Sequence, residues 1–140
     1  MRIYLDNCCF NRPYDIQTNL TVYFETEAKI FIQNEVLNKR FDLVWSFMMD
    51  YEISFNPFLD RQIAIMNWKN IAILDVEPKE DILQKAIEIN QKNIKKKDAL
   101  HIACAIEGKC EYFLTTDKKI LNKNIKEIIL INPIDFIRKF

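Results

Sequence analysis

Short apolar runs alternate along this chain with longer stretches in which apolar residues return every three or four positions. Runs of four or five residues suit strands buried on both faces, and the 3.6-residue return suits amphipathic helices. Strands are predicted near 2–5, 41–45, 71–74, 112–115 and 128–131. A first helix is predicted over about 20–39, with Val22, Phe24, Ala28, Phe31, Ile32, Val36 and Leu37 as its apolar positions and Thr18 or Asn19 as cap. Ser46 is placed to cap a second helix that carries Asp50, Tyr51 and Glu52 and ends before Pro57. Further helices are expected at about 58–69 and 79–92, the latter with Pro78 at its first turn. Another should run from Asp98 to Gly108, a short one should follow Asp117, and a last should start at Pro133. Between the first strand and first helix, a polar loop is expected around Asn11-Arg12-Pro13 and Asp15. This alternation predicts an α/β fold, a three-layer α/β/α sandwich around a central, mainly parallel sheet.

The 140 residues fit one domain, 1–140, with no repeat or linker to divide it. At 49% apolar and 29% charged the chain is globular rather than disordered. No apolar run nears the roughly 20 residues that span a bilayer. Asp6, Asn7, Asn11 and Arg12 interrupt any leader-like segment, so a cytoplasmic location without membrane contact is expected. Cys8, Cys9, Cys104 and Cys110 form no C-x-x-C pair, and the single His101 completes no zinc quartet by spacing, so reduced thiols are expected. Net charge is zero, which excludes a uniformly basic nucleic-acid binder. The charge is nonetheless divided: residues 1–89 carry 9 basic and 14 acidic side chains, and residues 90–140 carry 11 basic and 6 acidic ones. The basic part, with Lys95-Lys96-Lys97, Lys118 and Lys119, suits either a phosphate-facing patch or a solvated surface.

Four acids stand where the predicted fold would gather them. Asp6 closes the first strand, Asp117 follows the fourth, Glu52 lies in the helix after the second, and Asp98 opens a later helix. Ligands of an open α/β sheet bind outside the carboxyl ends of its strands. Carboxylates converging there repel one another unless a cation sits among them. Oxygen donors of this kind suit Mg²⁺ or Mn²⁺, ions that orient a phosphodiester and activate water. Each acid also has an ordinary use, as turn or cap residue for Asp6 and Asp117, as exposed helical charge for Glu52, or as helix-dipole partner for Asp98.

Three segments carry a family resemblance: Ile3-Tyr4-Leu5-Asp6-Asn7, Lys97-Asp98-Ala99-Leu100-His101-Ile102-Ala103, and Phe113-Leu114-Thr115-Thr116-Asp117-Lys118-Lys119-Ile120-Leu121. They resemble the PIN-domain superfamily, which includes VapC-type toxin ribonucleases. The resemblance implies a Rossmann-like core and an Mg²⁺- or Mn²⁺-dependent endoribonuclease whose products carry a 5′-phosphate and a 3′-hydroxyl. It places Asp6, Glu52, Asp98 and Asp117 in the catalytic, metal-holding set, with Asn7 and Thr116 as polar neighbours. It also implies RNA as substrate, an antitoxin protein covering the cleft, and pairing as a homodimer. The stretch Cys8-Cys9-Phe10-Asn11-Arg12-Pro13 departs from the toxin pattern and points to a distinct, solitary branch. Asp50 lies two residues before Glu52 on another helical face, and Glu52 is the position the resemblance favours.

His101, three residues beyond Asp98, is either a partner of the acids or a packed histidine beside the sheet. Arg12, Lys97 and Lys118 are the expected substrate contacts. Tyr4, Phe10, Tyr14 and Trp45 could stack on unpaired bases but fit the core better. An alternative function is a catalytically silent PIN domain that binds RNA or protein. A phosphotransfer domain of receiver or dehalogenase type is disfavoured, because Asp6-Asn7-Cys8 lacks the D-x-D nucleophile pattern.

Overall fold

The computed structural model describes residues 1–140. Five strands, β1 (Arg2–Leu5), β2 (Asp42–Ser46), β3 (Leu74–Val76), β4 (Tyr112–Leu114) and β5 (Ile129–Ile131), form one sheet in the order β3-β2-β1-β4-β5. Every pairing is parallel. Eight helices flank the sheet: α1 (Asn7–Asn11), α2 (Leu20–Leu37), α3 (Phe47–Ile53), α4 (Leu59–Ile71), α5 (Glu80–Asn90), α6 (Lys96–Glu107), α7 (Lys118–Leu121) and α8 (Pro133–Ile137). The predicted three-layer α/β sandwich is what forms.

Strand register explains the layers. Tyr4 pairs with Val44 on one side and Phe113 on the other, and this row faces α6 through His101 and Gly108. Side chains alternate between faces along a strand. Trp45, one residue on, therefore points to the opposite layer, where its ring meets Phe10 of α1 edge to face. One hydrophobic cluster runs through both layers, with Ile3, Tyr4, Trp45, Phe113 and Phe136 fully buried. No helix is long and apolar enough to cross a membrane.

Several boundaries differ from the sequence expectation. The polar loop after β1 is instead the short helix α1 followed by a 3-10 turn over Arg12–Tyr14. Asp6 caps that helix by accepting from the Asn7 amide at 2.8 Å, and Pro13 fits the turn's early position. The third strand lies at Leu74–Val76 rather than 71–74, since α4 continues to Ile71. Only Val76 of this edge strand is buried, so burial pattern gave a weak signal there. Pro78 lies two residues before α5, outside it, and α6 starts at Lys96, which puts Asp98 at its third position. Asn19 is the cap of α2, accepting from the Val22 amide at 3.1 Å.

Gly108 ends α6 as expected, for a different reason. Its φ of −73° is open to any residue, while Lys109 takes the left-handed conformation with φ of 59°. The Lys109 amide returns to the Ile106 carbonyl and the Cys110 amide to that of Ala105, the paired bonds of a Schellman motif. What requires glycine is space, because a Cβ at Gly108 would lie 2.7 Å from Val44 Cγ1 and 3.3 Å from Val76 Cγ2. Gly108→Ala is expected to lower stability by about 1–3 kcal/mol through this overpacking, read as a reduced urea midpoint with unchanged slope.

Candidate active site

The chain runs β1, β2, β3 outward to one edge, then returns to place β4 and β5 on the other side of β1. The order therefore reverses between β1 and β4, and their carboxyl ends open the crevice in which such sheets bind ligands. Asp6 leaves the end of β1, and its amide extends the ladder to the Leu114 carbonyl of β4 at 2.9 Å. Thr115 and Asp117 leave the end of β4, with Asp117 capping α7 through the Lys119 amide at 2.9 Å. Ser46 ends β2 and caps α3 through the Met48 amide at 3.2 Å, which carries Glu52 to the same crevice. Asp98 comes from the first turn of α6, where a carboxylate favours the helix dipole.

Asp6, Glu52 and His101 each place a ligand atom within 4.8 Å of the other two. His101 is fully buried and links two groups, with Nε2 2.6 Å from Glu52 Oε1 and Nδ1 2.6 Å from the Tyr4 hydroxyl. An ionised carboxylate only accepts, so Nε2–H donates to Glu52. Ser46 Oγ lies 2.7 Å beyond the Tyr4 hydroxyl and completes a buried chain from β2 to Glu52. Glu52 Oε2 accepts from Asn7 Nδ2 at 3.0 Å, so both its oxygens are oriented. Burial alone would raise the Glu52 carboxyl, but the bond and charge of His101, the charge of Lys97 and the Asn7 bond together hold it below its ordinary value.

Asp6 is almost wholly buried, and that desolvation raises its carboxyl despite the His101 charge and the Thr115 hydrogen bond. Asp98 is half-buried and pushed up to about 6, by desolvation first and then by the charges of Asp6 and Asp117. Glu52 adds to that repulsion, so the other three acids all act on Asp98. Asp98 and Asp117 line a cavity of about 70 Å³ together with Lys95 and Lys119. The crevice thus has a buried side, Asp6–Glu52–His101, and a more open side, Asp98–Asp117.

The remaining expected residues fall in distinct places. Asn7 orients Glu52, and Lys97 is exposed in the groove beside it. Lys118 is exposed in the first turn of α7. Arg12 is engaged elsewhere, its Nε 2.9 Å from Glu25 and its Nη1 2.8 Å from Asp15. Asp50 points away, accepting from Trp45 Nε1 at 3.0 Å and pairing with Lys69 at 3.0 Å. The threonine beside Asp6 is Thr115, whose hydroxyl donates to Asp6 Oδ2 at 2.8 Å, rather than Thr116, whose amide donates to Cys8 Sγ at 3.4 Å. Thr115 Oγ1 also accepts from the Asp117 amide at 3.1 Å and so ties the two strand ends together. A threonine two residues before an aspartate in a strand-to-helix turn carried that signal. Thr115→Val is expected to leave the Asp117 amide without its acceptor, costing about 1–3 kcal/mol, read by thermal melting. Tyr4, Phe10 and Trp45 are buried and do not meet bases; Tyr14 is exposed. All four cysteines are free thiols, and burial pushes Cys104 and Cys110 up to about 12.

The donor set fits a hard divalent cation. Both ring nitrogens of His101 are occupied, so the donors left facing the crevice are carboxylate oxygens with unused lone pairs. The charge of His101 draws the Asp98 carboxyl down only in part, and desolvation with the neighbouring acids still leaves it raised.

No curated protein sequence matches the chain. Among solved structures, the chain is similar to VapBC2 from Rickettsia felis, described as bound to a DNA fragment from their promoter, with a TM-score of 0.59 at 18% identity over 94% of this chain and 98% of that one. It is also similar to FitAcB from Neisseria gonorrhoeae, with a TM-score of 0.56 at 14% identity over 94% of this chain and 97% of that one. At such identities the likeness shows a shared fold. A family model for the PIN domain matches residues 21–126, a span that holds Glu52, Asp98 and Asp117 while Asp6 lies before it. With most of its length under that model, the chain belongs to the PIN-domain family.

Proposed function

We propose that this chain is a divalent-metal-dependent endoribonuclease that hydrolyses RNA phosphodiesters at the crevice, and that it is the toxin of a toxin–antitoxin pair. The observation that carries the reading is the convergence of Asp6, Glu52, Asp98 and Asp117 on one crevice, where desolvation and then the charges of the neighbouring acids push Asp98 up to about 6. Asp6, Asp98 and Asp117 would hold Mg²⁺ or Mn²⁺, with Glu52 beside them. When bound, such an ion supplies positive charge that lowers the pKa of attacking water and stabilises the leaving oxygen.

The chain's own residues do the rest. Asn7 and His101 fix the Glu52 carboxylate from two sides, and its lowered pKa keeps it ionised and able to accept a proton from water. Thr115 holds Asp6 in place through its hydroxyl. Lys97 and Lys118, exposed on the rim, attract the phosphate backbone. Hydrolysis with loss of the 3′ oxygen leaves a 5′-phosphate and a 3′-hydroxyl. The pairing with an antitoxin is supported by the two structural relatives, VapBC2 and FitAcB, whose names mark them as two-component assemblies.

A silent, RNA-binding reading draws on one fact: every oxygen of Asp6 and Glu52 already has a protein partner. One assay separates the two. Labelled RNA incubated with purified protein should be cut in Mg²⁺ or Mn²⁺, with 5′-phosphate ends, and stay intact in chelator. Intact RNA in both ions, or equal cutting in chelator, would remove the nuclease reading.

A further inference from the structure

Beside Glu52 an open groove of about 440 Å³ leads away from the acids, a size that suits a small ligand. Its floor is a chain of amides with a single direction. Asn7 donates to Glu52, Asn11 Nδ2 donates to Asn7 Oδ1 at 3.1 Å, and Asn56 Nδ2 donates to Asn11 Oδ1 at 3.4 Å. The ionised carboxylate at one end fixes which way each amide faces. Asn11 spends its second N–H on the Asn7 carbonyl at 3.0 Å, and the Asn56 oxygen also accepts from the Phe58 amide at 3.0 Å. Asn7 and Asn56 therefore each keep one N–H and one oxygen lone pair for a base edge, while Asn11 keeps only an oxygen lone pair.

The outer wall is aromatic and cationic. Phe55 and Phe58 are 67% and 49% exposed, too open to serve the core. The Arg61 guanidinium lies 3.9 Å over the Phe58 ring and 5.0 Å from the Tyr14 ring. None of the chain's ion pairs involves Arg61. A guanidinium held flat on an aromatic face keeps its N–H edge free for phosphate. Lys97 stands at the inner end of the same groove, next to Glu52. Asp15, which also lines it, is neutralised by Arg12.

We propose that this groove binds an unpaired nucleotide of the RNA next to the scissile phosphate, its base against Phe55 and Phe58 over the asparagine floor and its phosphates between Lys97 and Arg61. The proposal rests on the nuclease reading for the identity of the scissile bond. It assigns Arg61, not Arg12, as the arginine that meets substrate. Bases in a duplex are stacked on one another and offer no free face to aromatic side chains, so the groove selects single-stranded RNA or loops.

The test uses the full chain in chelator, where RNA binds without being cut, and reads fluorescence anisotropy of a short labelled single-stranded oligoribonucleotide and of its duplex. Phe58→Ala and Arg61→Ala should each weaken single-strand binding by about 5- to 150-fold while leaving duplex binding near wild type. Arg61→Lys should keep the salt dependence of wild type and still lose affinity, because charge remains and the planar contact does not. In Mg²⁺ or Mn²⁺ the same variants should raise KM with little change in kcat. Phe58 is exposed and Arg61 is only partly buried, so unchanged melting curves will certify the fold. If wild type cuts RNA and the variants bind and cut single strands as it does, the groove proposal fails and the nuclease reading stands. Single-strand binding that depends on Phe58 and Arg61, in a protein that never cuts RNA, would keep the groove and end the nuclease reading. Equal losses on single strand and duplex, or no RNA binding by wild type, would also overturn the groove.

Discussion

Asp98→Asn is expected to reduce RNA cleavage by at least about 10²-fold, since even partners of metal ligands cost about 10- to 100-fold when lost. In the metal-free protein the same change should raise stability. The Asp98 carboxyl stands near 6 in the folded chain against an ordinary 3.8. An acid whose folded pKa is raised binds a proton more readily when folded, so its contribution falls as pH rises from about 4 to about 6 and stays lost above that. The shift corresponds to about 3 kcal/mol before screening, and on the order of 1–2 kcal/mol after allowing for the solvent that reaches this half-buried group. Asparagine keeps the shape and carries no charge, so it removes that penalty. Chemical denaturation in chelator at pH 7 and pH 4 checks the sign: the variant should gain at pH 7 and gain little at pH 4. Equal or lower stability at pH 7, with full cleavage, would show that Asp98 bears no repulsive load and holds no ion.

Divalent metal should stabilise the wild-type fold strongly. An ion that binds only the folded state adds about 2.7 kcal/mol at a hundred times its Kd, a rise of about 10 °C in Tm for a chain of this size. The gain should be present with Mn²⁺ and Mg²⁺ and largely absent in Asp6→Asn, which loses a buried donor at the closed side of the crevice. It should also fade as pH drops below about 6, where Asp98 takes up a proton in competition with the ion. Thermal melts across a metal titration read all three outcomes. Identical melts with and without metal for wild type would leave the four acids without a cation and favour the silent, RNA-binding reading.

The sequence by itself determined the layered α/β architecture, because buried parallel strands and amphipathic helices have periods that differ enough to be read directly. Arg2–Leu5, Asp42–Ser46 and Tyr112–Leu114 were legible for that reason. The exposed edge strand Leu74–Val76 was not, since its residues answer to one neighbour and to solvent. Short α1 was hidden because its five residues form around the Asp6 cap rather than through a periodic face. Glycine at 108 was visible, while its cause, a 2.7 Å approach to Val44 from a distant strand, exists only once α6 lies on the sheet.

The same division holds at the site. Residue type and position along the strands brought out the four acids, because the carboxyl ends of parallel strands are fixed by topology. Only the tertiary structure decided what surrounds them. It chose Thr115 over Thr116, and it turned Asp50 toward Trp45 while Glu52, the position already favoured, met His101. It also joined Ser46, Tyr4 and His101, from three separate segments, into the chain that holds Glu52. Arg12 went to Glu25 and Arg61 to the open groove for reasons that no local spacing contains. Backbone periodicity is local and survives in the sequence; hydrogen-bond partners and charge coupling depend on distances across the folded chain.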